Sequence, residues 1–303
     1  MGKRTVDTTQ CSRNMTHDSS RTHLQERFGQ LPLEIVCAVV TFAARDSISA
    51  GHPQWVAQCL AVVCNIFRDA VEPVLVESVW IWQHTNFDNV RPGRFAGTKH
   101  VYIADPIDFP AKLFPSLQAL TGSVLDVRHL QRVPYDLPPR LTLRYYTDAW
   151  TVARVDPLQI EAFHGVTHLR IKAYSPHECP LELLPASVTH LVLTLARWPK
   201  SGTVWGDDNS VQLENQITHI LSNTGLRLAR VLVCLDYLQP DVAVTVLAHL
   251  HQAFRANRDA RLWVDMSNEA VPIKTSRERE LLDPAQTIIW YTGRPLHAPL
   301  PPP

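Results

Sequence analysis

Histidine and cysteine are the residue types in this chain best suited to holding a metal. His164 and His168 stand four apart, His177 and Cys179 follow, and His190 lies beyond them. Imidazole nitrogen and thiolate sulfur are the usual zinc ligands. The spacing argues against a shared site. The stretch from His164 to His168 contains Gly165 and runs into an alternating apolar segment, so the two rings would not share a helix face. There is no His-Glu-x-x-His sequence and no Cys-x-x-Cys pair. His168 and His190 hold equivalent places in two near-copies of one segment, which assigns them to the frame of a strand. No metal and no cofactor is expected.

Other catalytic patterns are missing as well. The chain has no Gly-x-Ser-x-Gly elbow, phosphate-binding glycine loop or dinucleotide fingerprint, and only 11 glycines in all. Asp207-Asp208-Asn209 follows Lys200-Ser201-Gly202 and reads as a solvated turn rather than a cation site. Arg277-Glu278-Arg279-Glu280, after Ser276, reads as a solvated helix face. No nucleophile sits in an activating motif, so the expectation is a protein that is not an enzyme. Trp80, Trp82, Trp263 and Trp290 fall in strand-like runs and are expected to pack on a sheet. Trp150, Trp198 and Trp205 lie near loops, where aromatics either cover sheet ends or serve in recognition.

Composition excludes further classes. The 303 residues carry 29 basic and 29 acidic side chains, a net charge of zero. No basic field is present to steer nucleic acid or an anionic membrane. The longest apolar runs, such as Ile35 to Ala44, are far too short to cross a bilayer. The six cysteines (Cys11, Cys37, Cys59, Cys64, Cys179, Cys234) form no disulfide framework and fit a reducing compartment, cytoplasm or nucleus. Residues 1–29 are polar, lack the apolar core of a secretory signal, and read as a disordered tail. Residues 296–303 form a Pro-rich tail, extended and mobile.

Two kinds of element lie between these ends. Residues 30–81 read as a helical module. Leu31-Pro32-Leu33-Glu34-Ile35-Val36 opens a helix, with Pro32 in its first turn. Apolar residues recur at Leu33, Val36, Cys37 and Val40, with Ile35, Val39 and Phe42 beside them. A small loop, Arg45 to Pro53, leads to a second helix whose stripe is Leu60, Val63, Cys64, Phe67 and Val71 and which Pro73 ends. So small a hairpin carries more apolar surface than it can bury alone, and that surplus implies a partner.

Residues 82–295 read as an irregular strand–helix region. Strand-like runs are Val74 to Trp82, His100 to Ala104, Val124 to Val127, Leu141 to Tyr145, Val166 to Ile171, Val188 to Leu195, Arg230 to Leu235, Leu262 to Met266 and Ile288 to Tyr291. Val166-Thr167-His168-Leu169-Arg170-Ile171 and Val188-Thr189-His190-Leu191-Val192-Leu193 lie 22 residues apart. Alternation puts Leu191 and Leu193 in the core and Val192 on the opposite face. Helical stripes fall between strands at Leu213, Ile217, Ile220, Leu221 and at Val246, Leu247, Leu250, Phe254. The fold class is therefore α/β: parallel strands backed by helices, leucine-rich-repeat-like but irregular.

The opening Leu-Pro-x-Glu-hydrophobic pattern, a gap, and then Val62-Val63-Cys64-Asn65-Ile66-Phe67-Arg68 resemble an F-box. The chain is similar to the F-box-like proteins of mushroom-forming (basidiomycete) fungi, in which such a motif precedes a divergent, weakly leucine-patterned region. Where many F-boxes carry a tryptophan, this chain reads Asn65-Ile66-Phe67-Arg68. The resemblance implies a substrate-recognition subunit of a cullin–RING (SCF-type) ubiquitin ligase. Its module would dock on the Skp-type adaptor and its second region would bind a protein substrate. It assigns the adaptor contact to Leu31, Pro32, Leu33, Ile35, Val36, Val63, Cys64 and Phe67. One alternative is a non-catalytic structural or interaction protein whose hairpin packs on its own repeat region. Another is an enzyme with an unrecognised site.

Overall fold

The computed structural model describes residues 31–49, 52–82, 84–103, 109–123, 137–144, 161–173, 181, 184–196, 207–265 and 290–298. Outside them lie the N-terminal tail, His177, Cys179, Trp150, Trp198, Trp205, the 277–280 charge run and the last five residues.

The chain is mixed α/β. Three helical segments come first: α1 (Leu33–Ser49), α2 (Pro53–Trp55, continued by a π-helical turn over Val56–Leu60) and α3 (Asn65–Leu75). Their small core holds Val40, Ala44, Val56, Val71 and Val74. Thr41 donates its hydroxyl to the carbonyl of Ala70 and ties α1 to α3. α1 runs through Arg45 to Ser49, shortening the loop expected there. Pro73 does not end α3, which continues to Leu75 with Val76 N–H on the Glu72 carbonyl. A proline forfeits one backbone bond, and buried Val71 and Val74 hold the last turn against that loss.

The expected single stripe from Leu60 to Val71 is broken. Cys64 is extended, with φ −161° and ψ 170°, and forms the N-cap of α3. The wide π turn brings Ala61 N–H onto the Val56 carbonyl and turns Val56 into the core. Val63 and Cys64, expected on a helix face with Phe67, instead sit in the joint between two helices, both exposed.

Nine strands follow among the described residues. They are β1 (Ser78–Ile81), β2 (His100–Ile103), β3 (Ala119–Ser123), β4 (Arg140–Arg144), β5 (His168–Ala173), β6 (His190–Ala196), β7 (Arg230–Tyr237), β8 (Leu262–Asp265) and β9 (Arg294–Pro295). They form one sheet in sequence order; β1 to β8 run parallel and β9 closes the edge antiparallel to β8.

Register is set by a recurring device at the start of the strands. One carbonyl accepts two successive N–H groups of the next strand. Glu77 accepts from Lys99 and His100, Lys99 from Gln118 and Ala119, Pro139 from Thr167 and His168, Thr167 from Thr189 and His190, and Thr189 from Ala229 and Arg230. Each strand thereby begins where its neighbour does. Side chains of like position then line up in rows across the sheet.

One face of the sheet builds the large core. Leu141, Leu143, Leu169, Ile171, Leu191, Leu193, Val231 and Val233 all point into it. They meet α4 (Asp207–Ser222) through Leu213, Ile217 and Ile220, and α5 (Pro240–Ala253) through Val246 and Leu250. Phe109 stacks on Phe114 at 5.4 Å, and Phe95 stacks on Phe114 from another side at 5.3 Å. Burial of apolar area, about 25 cal/mol per Å², is what makes so long a parallel ladder stable.

Several expectations change. Asp207, Asp208 and Asn209 open helix α4 rather than a loop. Acidic residues suit that end, because the unpaired N–H groups of a first turn favour negative charge. The strand expected over Val74 to Trp82 shrinks to Ser78–Ile81, because α3 and its final turn use the first residues. A strand lies at Ala119–Ser123, whereas Val124 to Val127 fall outside the described residues. Trp290 and Tyr291 occupy a turn, not a strand, and the closing strand is Arg294–Pro295.

Val192 does face away from Leu191, but it is 1% exposed. With Leu232, Cys234 and Trp290 it forms a second apolar cluster on the opposite face, against which Trp263 packs. Parallel strands are commonly covered on both faces, and the turn carrying Trp290 supplies the cover here.

Candidate interaction surfaces

The first surface belongs to the helical module. α1 is apolar on more than one side. Val40 and Ala44 reach the small core, with Val36 packed beside them. A second stripe on α1, Ile35, Val39 and Phe42 at i, i+4 and i+7, points to solvent, and Phe42 is 73% exposed. Leu31, Leu33, Trp55, Val62, Val63 and Ile66 are exposed as well, Val63 at 62%.

Of the residues assigned to a partner contact, Leu31, Pro32, Leu33, Ile35, Val63 and Cys64 lie at the surface. Val36 and Phe67 are half-buried and pack on the module's own core. The motif therefore divides between contact residues and residues that hold the helices together. Phe42, Trp55, Val62 and Ile66 were not singled out for contact. The signal for Phe42 was present in the i, i+4, i+7 spacing from Ile35. For Val62 and Ile66 it was hidden by the break at Cys64.

The module is fastened to the sheet by charge. Arg45 pairs with Glu77 at 3.6 Å, Lys99 with Glu77 at 2.7 Å, and Arg94 with Glu72 at 3.2 Å. An open cleft lies between α3 and the turn over Arg91, Pro92 and Gly93. The paired charges of Glu72 and Arg94 stand at its wall, with Asp69 and Arg91 beside them.

The second surface is the polar face of the sheet. Rows of side chains follow from the register. Arg140, His168, His190 and Arg230 align across β4 to β7, and Thr142 and Arg170 align beside Val192. Lys172 aligns with Thr194. Arg170 donates from Nε to the Thr194 hydroxyl at 2.9 Å.

His168 and His190 stack with ring centroids 4.3 Å apart and planes 6° from parallel. Thr167 gives its hydroxyl proton to the Pro139 carbonyl, so its oxygen must accept from His168 Nδ1 at 2.9 Å. Thr189 does the same between the Thr167 carbonyl and His190 Nδ1. Both imidazoles thus carry their proton on Nδ1 and present a lone pair at Nε2. Burial holds His168 down at about 4, helped by the nearby His190 and Arg140. Burial and Arg230 lower His190 too.

Trp290 meets the edge of His168 at 5.2 Å, and Tyr291 meets the edge of His190 at 5.8 Å. Arg230 lies over the Trp263 ring at 3.8 Å and donates to the Thr292 carbonyl. The Nε2 of His168, the Nε of Arg230 and the Nε1 of Trp290 are buried without hydrogen-bond partners.

Of the residues weighed as metal ligands, His177 and Cys179 lie outside the described residues. His164 is exposed, while His168 and His190 are stacked face to face, a geometry that cannot direct both lone pairs at one ion. Among the described residues no group of three or more His, Cys, Asp or Glu side chains could hold a metal. No described helix is long and apolar enough to cross a membrane. No protein-family model, curated protein or solved structure matches this chain.

Proposed function

We propose that the chain is a non-catalytic adaptor. Its F-box-like helical module docks on a Skp-type subunit of a cullin–RING (SCF-type) ubiquitin ligase, and its leucine-rich-repeat-like sheet region receives a protein substrate, in the cytoplasm or nucleus. The observation that carries this reading is the exposed apolar stripe Ile35, Val39, Phe42, with Leu31, Leu33 and Val63 uncovered nearby. Apolar side chains left at the surface in such a group mark protein contact sites. The same exposure weighs against the alternative in which the hairpin packs on its own sheet. The resemblance of the Leu31 to Glu34 opening supplies the identity of the partner.

The test is a direct binding assay between the purified chain and a Skp-type adaptor. Wild type should bind. Leu33→Asp and Phe42→Asp should each weaken binding tenfold or more, because a carboxylate would be desolvated in an apolar contact. Both positions are exposed, so both variants should keep the wild-type melting temperature. A folded wild type that does not bind the adaptor ends this reading.

A further inference from the structure

The cleft between α3 and the turn joining β1 to β2 has a volume of about 430 Å³ and opens to solvent. One wall is a stripe of α3 and its C-cap: Asp69, Glu72, Pro73 and Val76, at i, i+3, i+4 and i+7. The other is the turn from Arg91 to Arg94. Arg94 N–H bonds the Arg91 carbonyl at 3.1 Å, with Pro92 and then Gly93, at φ +76°, between them. Proline followed by a residue of positive φ is the signature of a type II turn. The walls are tied together twice. Glu72 pairs with Arg94 at 3.2 Å, and buried Thr98 donates its hydroxyl to the Val76 carbonyl at 2.7 Å.

Asp69 and Arg91 belong to opposite walls. Both are exposed, and neither makes an ion pair or a side-chain hydrogen bond among the described residues. Exposed single charges are ordinary; what sets Asp69 apart is Pro73. In an α-helix the carbonyl of residue 69 accepts from the N–H of residue 73, and proline has no N–H. α3 therefore leaves the Asp69 carbonyl without its helical donor, beside the carboxylate of the same residue, on the wall of an open cleft.

We propose that this cleft binds an extended segment of a partner polypeptide through two of its side chains. A lysine or arginine takes the carboxylate and carbonyl of Asp69, and an acidic residue pairs with the Arg91 guanidinium. Charge complementarity selects this occupant: a ligand of one sign would set a like charge against Asp69 or against Arg91. Small-molecule sites enclose most of the ligand's surface, whereas this cleft is open and suits a chain lying across it. Pro73 and Pro92 offer no N–H, so recognition falls to side chains rather than to strand pairing. The tied walls are already in place, which lowers the ordering cost of binding. Leu33 and Phe42, the positions that test the adaptor contact, do not line the cleft, so this site and the adaptor reading fail separately.

The experiment uses the full chain and fluorescein-labelled Gly-Ser peptides that carry one lysine and one glutamate at varied spacing, in both orders. Binding is read by fluorescence anisotropy. Wild type should bind at least one peptide, with affinity that falls as salt rises. Asp69→Asn and Arg91→Gln should each weaken that binding about threefold or more, the scale of exposed ion pairs. Both should keep the wild-type melting temperature. Asp69→Asn should make no difference to the peptide whose lysine is replaced by glutamine, and Arg91→Gln none to the peptide whose glutamate is replaced. Pro73→Ala returns a donor to the Asp69 carbonyl, so it should raise the melting temperature while weakening binding. Free lysine and free glutamate at the peptide's concentration should not compete; competition by either would overturn the polypeptide occupant. Failure of every peptide to bind wild type would overturn the proposal, as would binding unchanged by both Asp69→Asn and Arg91→Gln.

Discussion

The imidazoles of His168 and His190 lie 4.3 Å apart across two neighbouring parallel strands, each oriented by the threonine that precedes it. The Thr-His pair is repeated 22 residues apart, and the repeat in sequence becomes a stack in space because the strands start in register. Stacked neutral rings coexist easily; two imidazolium ions at that distance would repel. A third histidine, His100, is 3% exposed and bonded to the Thr121 hydroxyl at 3.0 Å.

That arrangement predicts acid sensitivity. Burial holds His100 at about 4, and His168 is also held at about 4, against about 6.5 in an unfolded chain. Above 6.5 these groups are neutral in both states and contribute no pH dependence. Between 6.5 and 4 the unfolded chain takes up protons that the folded chain refuses, so stability falls as pH falls; below 4 the loss levels off. For His100 alone the total is on the order of 3 kcal/mol. Melting temperatures recorded from pH 7.5 to 3.5 should decline across that window. His100→Gln should flatten the decline, and a curve identical to wild type would show that His100 does not titrate in this way.

Much of the sheet was legible because its signals are local. Leu169 and Ile171 against Leu191 and Leu193 repeat the same alternation, and each pair faces the same core. The stripes of Leu213, Ile217 and Ile220 and of Val246 and Leu250 sit on helices that cover that core, as their spacing requires. What was hidden depends on distant chain. The two-sided burial of β6 comes from Trp290, about a hundred residues away. The break in the stripe comes from a π turn over Val56–Leu60, in which about one extra residue per turn shifts the apolar phase, and from the extended Cys64 that starts a new helix. The cationic rows are invisible in net charge, which counts residues and not their place in the sheet. They appear only when register sets Arg140 on β4, Arg170 on β5 and Arg230 on β7 along one face of the sheet.

Two-sided burial alters what β6 should tolerate. Leu191→Asn opens a cavity in the large core and strands an amide, a loss of about 2–5 kcal/mol. Simple alternation would make Val192→Asn mild, but Val192 lies under Trp290 with Leu232 and Cys234. Its replacement should also cost about 2 kcal/mol or more. Val211→Asn, at an exposed position of α4, should stay within about 0.5 kcal/mol of wild type. Chemical denaturation of the three variants gives the ranking. A Val192→Asn protein as stable as Val211→Asn would mean that the Trp290 turn does not cover the sheet.

Asp259 and Arg261 make an ion pair with a second task. The Arg261 guanidinium bonds both carboxylate oxygens, one at 2.6 Å, and also donates to the Leu221 carbonyl at 2.7 Å in the last turn of α4. Hydrogen bonds from Arg261 hold the Asp259 carboxyl below its ordinary range. Because the folded form holds its proton less tightly, the pair contributes stability above about 3.8 and loses it as pH falls further. Asp259→Asn should cost about 1 kcal/mol at neutral pH. The gap from wild type should close below pH 3.8 in acid denaturation; a gap independent of pH would assign the loss to packing.

Two glycines with positive φ separate backbone conformation from close approach. Gly93 has φ +76° and open space where a Cβ would stand. Gly293 has φ +82°, and a Cβ there would lie 2.6 Å from the Val264 carbonyl oxygen and 2.8 Å from Leu232 Cδ1. The first substitution meets only the left-handed conformation, which costs an L-residue about 1–2 kcal/mol. The second meets that and a collision with the backbone of β8, which cannot move without disturbing the β7–β8 ladder. Gly93→Ala should therefore lower stability by about 1 kcal/mol. Gly293→Ala should lower it by clearly more, about 3 kcal/mol, because the strain and the clash add. It should also loosen the turn that brings Trp290 onto Val192 and Leu232. Tryptophan fluorescence should then shift to the red in Gly293→Ala and not in Gly93→Ala. Equal melting temperatures for the two variants would show that β9 and its turn do not pack against β8 as closely as the 2.6 Å approach requires.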